Sequence, residues 1–222
     1  KWGTSTILIE SGGYPNDPEK QEIRKLNFVS ILAAVFSIAE EDYKNAEISE
    51  YEKIPNNDRK LFDLKLTGLT YELLGKEYIL DLGINQREVQ DENLDYFYDA
   101  YIADRGDLST FYGYEDLDAS GFKLLEGKIY PESFENLAEL QQENISEILR
   151  KGYAYVALNE LPEEDFAEIP INIVSKEFEI SESLQPHFFL EKDGELEYAV
   201  INGFLIDLSE EKFQVENALI LD

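Results

Sequence analysis

Glu10 closes an apolar run, Trp2-Gly3-Thr4-Ser5-Thr6-Ile7-Leu8-Ile9-Glu10, that breaks at once into Ser11-Gly12-Gly13-Tyr14-Pro15. A carboxylate placed where a buried strand meets a tight turn is partly desolvated, which suits it to take a proton from water near neutral pH as a general base. The same pattern also fits a structural role, with Glu10 accepting hydrogen bonds from the Gly12 and Gly13 amides, and the residues alone favour that role. His187, the only histidine, follows Pro186 and precedes Phe188-Phe189, a setting that favours a hydrogen-bonded structural imidazole over a catalytic one. A Ser or Thr nucleophile would need His187 as its base, yet no Gly-x-Ser-x-Gly elbow is present to present one.

Several other constellations have a weaker claim. Glu115, Asp116 and Asp118 could meet a calcium ion, but their spacing lacks the loop of an EF-hand and reads better as a solvated turn. Arg105-Gly106-Asp107 reads as a loop, and the acceptor triplet Asn144-Ile145-Ser146 falls inside an expected helix. The aromatic set Tyr96, Phe97, Tyr98, Tyr101, Phe111, Tyr112 and Tyr114 either packs a sheet face or forms a sugar-stacking or peptide-binding surface.

Composition bounds what these groups can serve. The 222 residues carry 48 acidic and 19 basic side chains, a formal charge of -29, which argues against nucleic acid and against anionic membrane surfaces as partners. Hydrophobic residues make up 43% and aromatic residues 13%, enough to build a true core. Cysteine is absent, so disulfides, thiolate zinc sites and cysteine nucleophiles are excluded. The longest apolar stretch, 28–39, is broken by Ser30 and Ser37 and is too short to span a bilayer. No signal peptide is visible, and a chain that opens on Lys1-Trp2 directly before a strand is expected to be a processed chain or an expressed piece.

The elements that must position these groups divide into two sets. A strand over 4–10 is followed by a helix with Asp17 as its N-cap and Pro18 at its first position, and Ile23, Leu26, Ile31, Leu32, Val35 and Ile38 recur at helical spacing, predicting a broad buried face. The polar stretch 53–58 reads as a linker, giving domains 1–55 and 56–222. Beyond it the texture predicts strands at 61–66, 78–84, 121–125, 153–158, 171–180, 188–191, 196–201 and 204–208, with Asp193-Gly194 and Asn202-Gly203 turning the last three into a meander. One helix, capped by Ser133 and ended by Gly152, interrupts them with the stripe Leu137, Leu140, Ile145, Ile148 and Leu149.

Two resemblances follow from these segments. Gly3 to Gly13, with Ile23-Arg24-Lys25-Leu26-Asn27-Phe28 in the next helix, resembles the C-terminal end of bacterial funnelin-type zinc carboxypeptidases. That resemblance implies that Glu10 is the general base acting on zinc-bound water, with peptide as substrate and a secreted or periplasmic location. It also implies that the zinc ligands, a His-x-x-Glu pair and a second His, lie upstream together with a substrate-binding Arg. Zinc is thus a cofactor of the intact parent, none is expected in this chain, and the chain's partner is the upstream remainder of the catalytic domain. The runs at 61–66, 81–85, 106–108, 117–122 and 148–153 are similar to the small β-sandwich that flanks amidohydrolase barrels, which implies an accessory fold without that chemistry.

The expected fold is therefore α+β: a strand-plus-helix remnant of an α/β carboxypeptidase domain, then a mainly antiparallel β-sandwich-like domain with one helix. The expected function is the C-terminal portion of a zinc-dependent metallocarboxypeptidase-like hydrolase, inert alone. The competing reading is a non-catalytic β-rich binding or interaction module. A self-standing amidohydrolase comes third, because the metal ligands are missing.

Overall fold

A computed structural model describes residues 6–14, 16–53, 60–90, 96–210, 213 and 218–222. The chain separates into two compact units, Lys1–Arg59 and Lys60–Asp222. It is an α+β protein, mostly β and sandwich-like in its larger unit.

In the first unit residues 6–10 form no strand, and the apolar side chains expected to be buried lie in solvent, Leu8 being 77% exposed. Residues 4 and 5 of that expected strand lie outside the described residues. The physical reason is the lack of a ladder: no strand pairs with this segment among the described residues, and an extended chain without neighbours gains nothing to offset its ordering entropy. The helix follows as α1 (Gln21–Ala39), then a 3-10 turn (Asp42–Asn45) and α2 (Ile48–Glu52). Asp17 does gather the helix start, its carboxylate accepting from the amides of Gln21 (2.6 Å), Glu22 (2.9 Å) and Ile23 (3.2 Å). Lys20, in the left-handed region at φ 59°, intervenes, so α1 begins three residues beyond the expected Pro18. α1 buries no residue, contrary to its expected buried face. Phe28, Val29 and Phe36 fill the faces left between the periodic positions, so from Phe28 to Ala39 the helix is interrupted only by Ser30 and Ser37 and its large apolar side chains are exposed. None of the described helices is long and apolar enough to cross a membrane.

The second unit holds β1 (Leu61–Leu73), β2 (Lys76–Gln90), β3 (Tyr96–Gly106), β4 (Tyr112–Asp118), β5 (Lys123–Glu126), β6 (Lys128–Ile129), α3 (Leu137–Leu140), α4 (Ile145–Arg150), β7 (Tyr153–Leu158), β8 (Phe166–Ala167), β9 (Asn172–Ser175), β10 (Phe188–Lys192), β11 (Glu195–Ile201), β12 (Phe204–Asp207) and β13 (Ala218–Leu221). One sheet runs β12-β11-β10-β5-β1-β2-β3, with β4 also beside β1, and the other runs β6-β7-β9-β13-β8. The first is mainly antiparallel, whereas β6, β7, β9 and β13 pair in parallel, a departure from the expected antiparallel pattern. The single expected helix is two short ones, capped by Asn136 and Asn144 and not by Ser133, because the chain turns out of helix between Leu140 and Ile145.

The meander β10-β11-β12 forms as its turn pairs predict, with positive φ at Asp193 (54°) and Gly194 (86°), and at Asn202 (48°) and Gly203 (74°). Its strands are apolar on both faces because each face has its own core. Phe188, Leu190 and Val200 pack with Leu64, Leu66, Leu82 and Ile84 inside the first sheet. Phe189, Ala199 and Ile201 pack with Val156, Ile173 and Leu149 against the second sheet and α4. The first sheet curls until the β11–β12 turn reaches β3, where Asn202 Oδ1 accepts from the Ala100 amide (2.9 Å) and Asn202 Nδ2 donates to the Tyr98 carbonyl (2.7 Å). Gly203 makes that approach sterically possible, since a Cβ there would lie 2.7 Å from Ala100 Cβ.

Truncating Asn202 takes from the buried Ala100 amide of β3 the acceptor that Asn202 Oδ1 supplies. Asn202→Ala is expected to cost about 2–4 kcal/mol, read as a lower urea midpoint at unchanged m-value.

Candidate functional site

Glu10 is exposed and lies in the irregular segment 6–14. Among the described residues its carboxylate has no hydrogen-bond or ion-pair partner, so the role of accepting from Gly12 and Gly13 does not form. The segment is tied to α1 by one bond, Asn27 Nδ2 donating to Ser11 Oγ at 2.7 Å. Ser11, the residue after Glu10, is thus fastened to α1 at Asn27, just ahead of the apolar stretch 28–39.

His187 is a structural histidine, as its setting predicts. It is 7% exposed and burial lowers its pKa to about 3, so the imidazole is neutral. Its Nδ1 accepts from the Asn202 amide at 3.0 Å. An amide N–H can only donate, which places the lone pair on Nδ1 and the ring proton on Nε2. Asn172 Nδ2 meets the same Nδ1 at 3.0 Å, while Asn172 Oδ1 accepts from the Leu219 amide at 2.9 Å. The node thus joins β9 and β13 of the second sheet to the β11–β12 turn of the first, and Asn202 extends it to β3.

Ser181 and Ser183 line a small cavity beside His187, so the fold brings together a hydroxyl and the imidazole that sequence reasoning kept apart. The tautomer nonetheless bars a nucleophilic role. A general base acting on Ser needs a lone pair on the nitrogen facing the hydroxyl, and the lone pair is already used on the Asn202 side.

The acidic trio on β4 does not converge. Asp116 meets Lys65 Nζ at 3.3 Å, and Asp118 accepts from the Ser120 amide at 3.0 Å. Glu115, pointing the opposite way from Asp116 along the strand, lines a cavity of about 300 Å³ with Tyr198, Leu205, Ile206, Asp207, Glu210 and Phe213. Neighbouring strands exclude enough water there to raise the Glu115 pKa, whereas the Ser209 hydroxyl and amide lower that of Asp207. The sequence reads Glu115 as part of a solvated turn, and no local spacing signals that it shares a lining with Asp207, 92 residues further along. A second groove, about 780 Å³, adjoins it through Tyr198 and Asp207. Arg150 holds its wall, donating from Nε to the Leu208 carbonyl (2.9 Å) and from its terminal nitrogen to that of Glu210 (2.8 Å), with Phe213 stacked on the guanidinium.

Zinc does not fit these residues. The one imidazole is committed to a backbone amide in the core, and among the described residues no three His, Asp or Glu side chains stand together to hold a metal ion. The aromatic set divides. Phe97 stacks on Phe166, Phe111 on Phe62, and Tyr98 sets its edge to Phe204. Tyr96, Tyr101, Tyr112 and Tyr114 are exposed. Arg105 and Gly106, expected in a loop, are the last residues of β3, paired with Leu82 and Asp81 of β2, and Asp107 beyond them accepts from the Ser109 amide; Asn144 is spent as the cap of α4.

No family model matches the chain, and no curated protein matches it. Among solved structures it is similar to an N-acyl-D-glutamate deacylase from Bordetella bronchiseptica, determined with zinc and a phosphonate mimic of the tetrahedral intermediate. The two share 21% identity over 45% of this chain and 19% of that one, with a TM-score of 0.32. The chain thus spans about a fifth of that enzyme's length, and at that score the likeness fixes no function. None of these comparisons bears on a carboxypeptidase.

The neutral His187 has a measurable consequence. In the unfolded chain its imidazole takes a proton below the ordinary value of about 6.5, while in the fold it does so only near 3. Its contribution to stability is full above pH 6.5 and is lost as pH falls towards 3, at up to about 1.4 kcal/mol per pH unit. The difference in unfolding free energy between the chain and its His187→Gln variant is expected to shrink with that slope between pH 6 and 4, measured by chemical denaturation.

Proposed function

We propose that this chain serves a zinc-dependent metallocarboxypeptidase-like hydrolase, secreted or periplasmic, as the C-terminal portion of that enzyme, with Glu10 as its proton-transfer group. The observation that carries the reading is the uncovered apolar surface around Glu10. Ile7, Leu8 and Ile9 precede the carboxylate in solvent, and α1, tied to this segment through Asn27 and Ser11, exposes Phe28, Val29, Ile31, Val35, Phe36 and Ile38. Such elements gain stability only when other layers cover them, as the rest of an α/β catalytic domain would. The resemblance of 3–13 and 23–28 to the closing strand and helix of funnelin-type carboxypeptidases points the same way.

In this role Glu10 takes a proton from the attacking water and passes it to the amine as the last peptide C–N bond breaks, leaving a carboxylate and a free amino acid. The metal ligands belong to the upstream remainder of the catalytic domain, and the chain by itself is inactive. In the enzyme expressed with its upstream sequence, Glu10→Gln should lower kcat by about 10²–10⁴, with zinc content and KM held. An unchanged kcat would remove Glu10 from the chemistry.

One observation favours the competing reading, a β-rich binding module. Tyr112 (69% exposed) and Tyr114 (62% exposed) stand two residues apart on β4, presenting both rings on one face. If that face binds sugar or peptide, the double replacement by Ala should abolish retardation of the chain on polysaccharide-containing or peptide-coupled gels. A wild-type chain that is not retarded at all would leave the carboxypeptidase reading standing alone.

A further inference from the structure

Asparagine followed by glycine occurs once in the chain, at Asn202-Gly203, and this pair forms the turn that meets both β3 and His187. Such a dipeptide carries its own chemistry. Once its proton is lost, the backbone nitrogen of the second residue can attack the side-chain carbonyl carbon of the first, and glycine, having no Cβ, shields that nitrogen least. The new bond would run from Gly203 N to Asn202 Cγ while the Cγ–Nδ2 bond breaks and Nδ2 leaves as ammonia. Water then opens the cyclic imide at one of its two carbonyls, giving Asp or, with the backbone rerouted through the side chain, isoaspartate.

Every atom of that reaction is committed in the fold. Asn202 is 0% exposed, its Oδ1 accepting from the Ala100 amide (2.9 Å) and its Nδ2 donating to the Tyr98 carbonyl (2.7 Å). The Gly203 amide, whose proton would have to go, donates to the Pro186 carbonyl (3.2 Å), and the Asn202 amide donates to His187 Nδ1 (3.0 Å). Ring closure therefore requires the bonds to Ala100, Tyr98 and Pro186 to be given up together, with water admitted to a buried site. Opening of the turn is the route, and the rate falls with the population of the open state.

The fold also requires the fragile pair. Asn202, at φ 48°, lies in the left-handed region that few residues besides Asn and Gly enter at low cost, and its side chain is the group that meets β3. At position 203 the φ of 74°, and a Cβ that would lie 2.7 Å from Ala100 Cβ and 3.1 Å from Ile84 Cγ2, leave room for glycine alone. The product does not fit the same place. A carboxylate can only accept, so an Asp here sets an oxygen against the Tyr98 carbonyl in a buried site. Isoaspartate adds a methylene to the backbone of a turn that pairs Ile201 with Phe204.

We propose that Asn202-Gly203 is a latent deamidation site, held closed by the joint with His187 and β3 and self-locking once spent. Each opening of the β11–β12 turn exposes the pair to a reaction whose product keeps the joint from closing again.

Peptide mass spectrometry of the whole chain, incubated at mildly alkaline pH with and without unfolding guanidinium, reads the site through the mass gain of amide-to-acid conversion. In the unfolded chain Asn202 is expected to convert faster than every other asparagine, and in the folded chain at least a hundredfold more slowly than in the unfolded one. The Asn202→Asp variant, which is the main-chain-intact product, should show a lower urea midpoint than the unaltered chain or fail to fold. Another asparagine leading in the unfolded chain, or a smaller ratio between the two states, would overturn the proposal. So would an Asn202→Asp chain as stable as the unaltered one, because the product would then fit the joint.

Discussion

The hydrogen bond from the Asn202 amide to His187 Nδ1 is the constraint on which the larger unit depends. It fixes the imidazole as a neutral acceptor, and through Asn172 it carries the second sheet. The Asn202 side chain turns the same residue towards β3 and holds the curl of the first sheet. Buried polar groups bonded in this way stabilise little in net terms, but leaving any one of them unmade is costly, so the network selects one register and one sheet-to-sheet placement. Glycine at 203 and the left-handed backbone of Asn202 are what allow a turn to serve as this joint.

How much of this could be read from the sequence depends on the range of the interaction. The meander was legible because Asp193-Gly194 and Asn202-Gly203 are local signals with a defined backbone conformation. The structural role of His187 was legible from its neighbours, but its partners, Asn172 and Asn202, are each 15 residues away and follow no spacing rule. β3 and β4 escape the sequence reading because polar side chains such as Asp104 and Asp116 stand exposed on them, and because β4 gains its strand character only from a parallel ladder with β1. The parallel second sheet was invisible for the same reason, since its pairings join residues that no turn connects. At the other end the sequence misled: an apolar run reads as a buried strand only if something covers it, and 6–10 has no such cover among the described residues.

The two units therefore stand in opposite conditions. Residues 60–222 own two cores, and the buried side chains of Asn172, His187 and Asn202 are hydrogen-bonded to one another and to the backbone within the unit. Residues 6–53 have local capping by Asp17 and one tie from Ser11 to α1, yet bury almost nothing apolar. A lone helix of this length is marginal in water, because nucleation is costly and most helical stability comes from packing a face. The carboxylate at Glu10 inherits that condition, and its proposed chemistry requires the cover that would desolvate and orient it.

Backbone amide hydrogen exchange, compared between this chain alone and the same residues within the longer enzyme that the proposed function requires, tests that contrast most directly. The account predicts strong protection of β7, β10 and β11 in both, with the amides of 6–39 exchanging near unprotected rates alone and at least a hundredfold more slowly in the longer protein. Equal protection of 6–39 in the two would contradict it, because the segment around Glu10 would then need no covering domain.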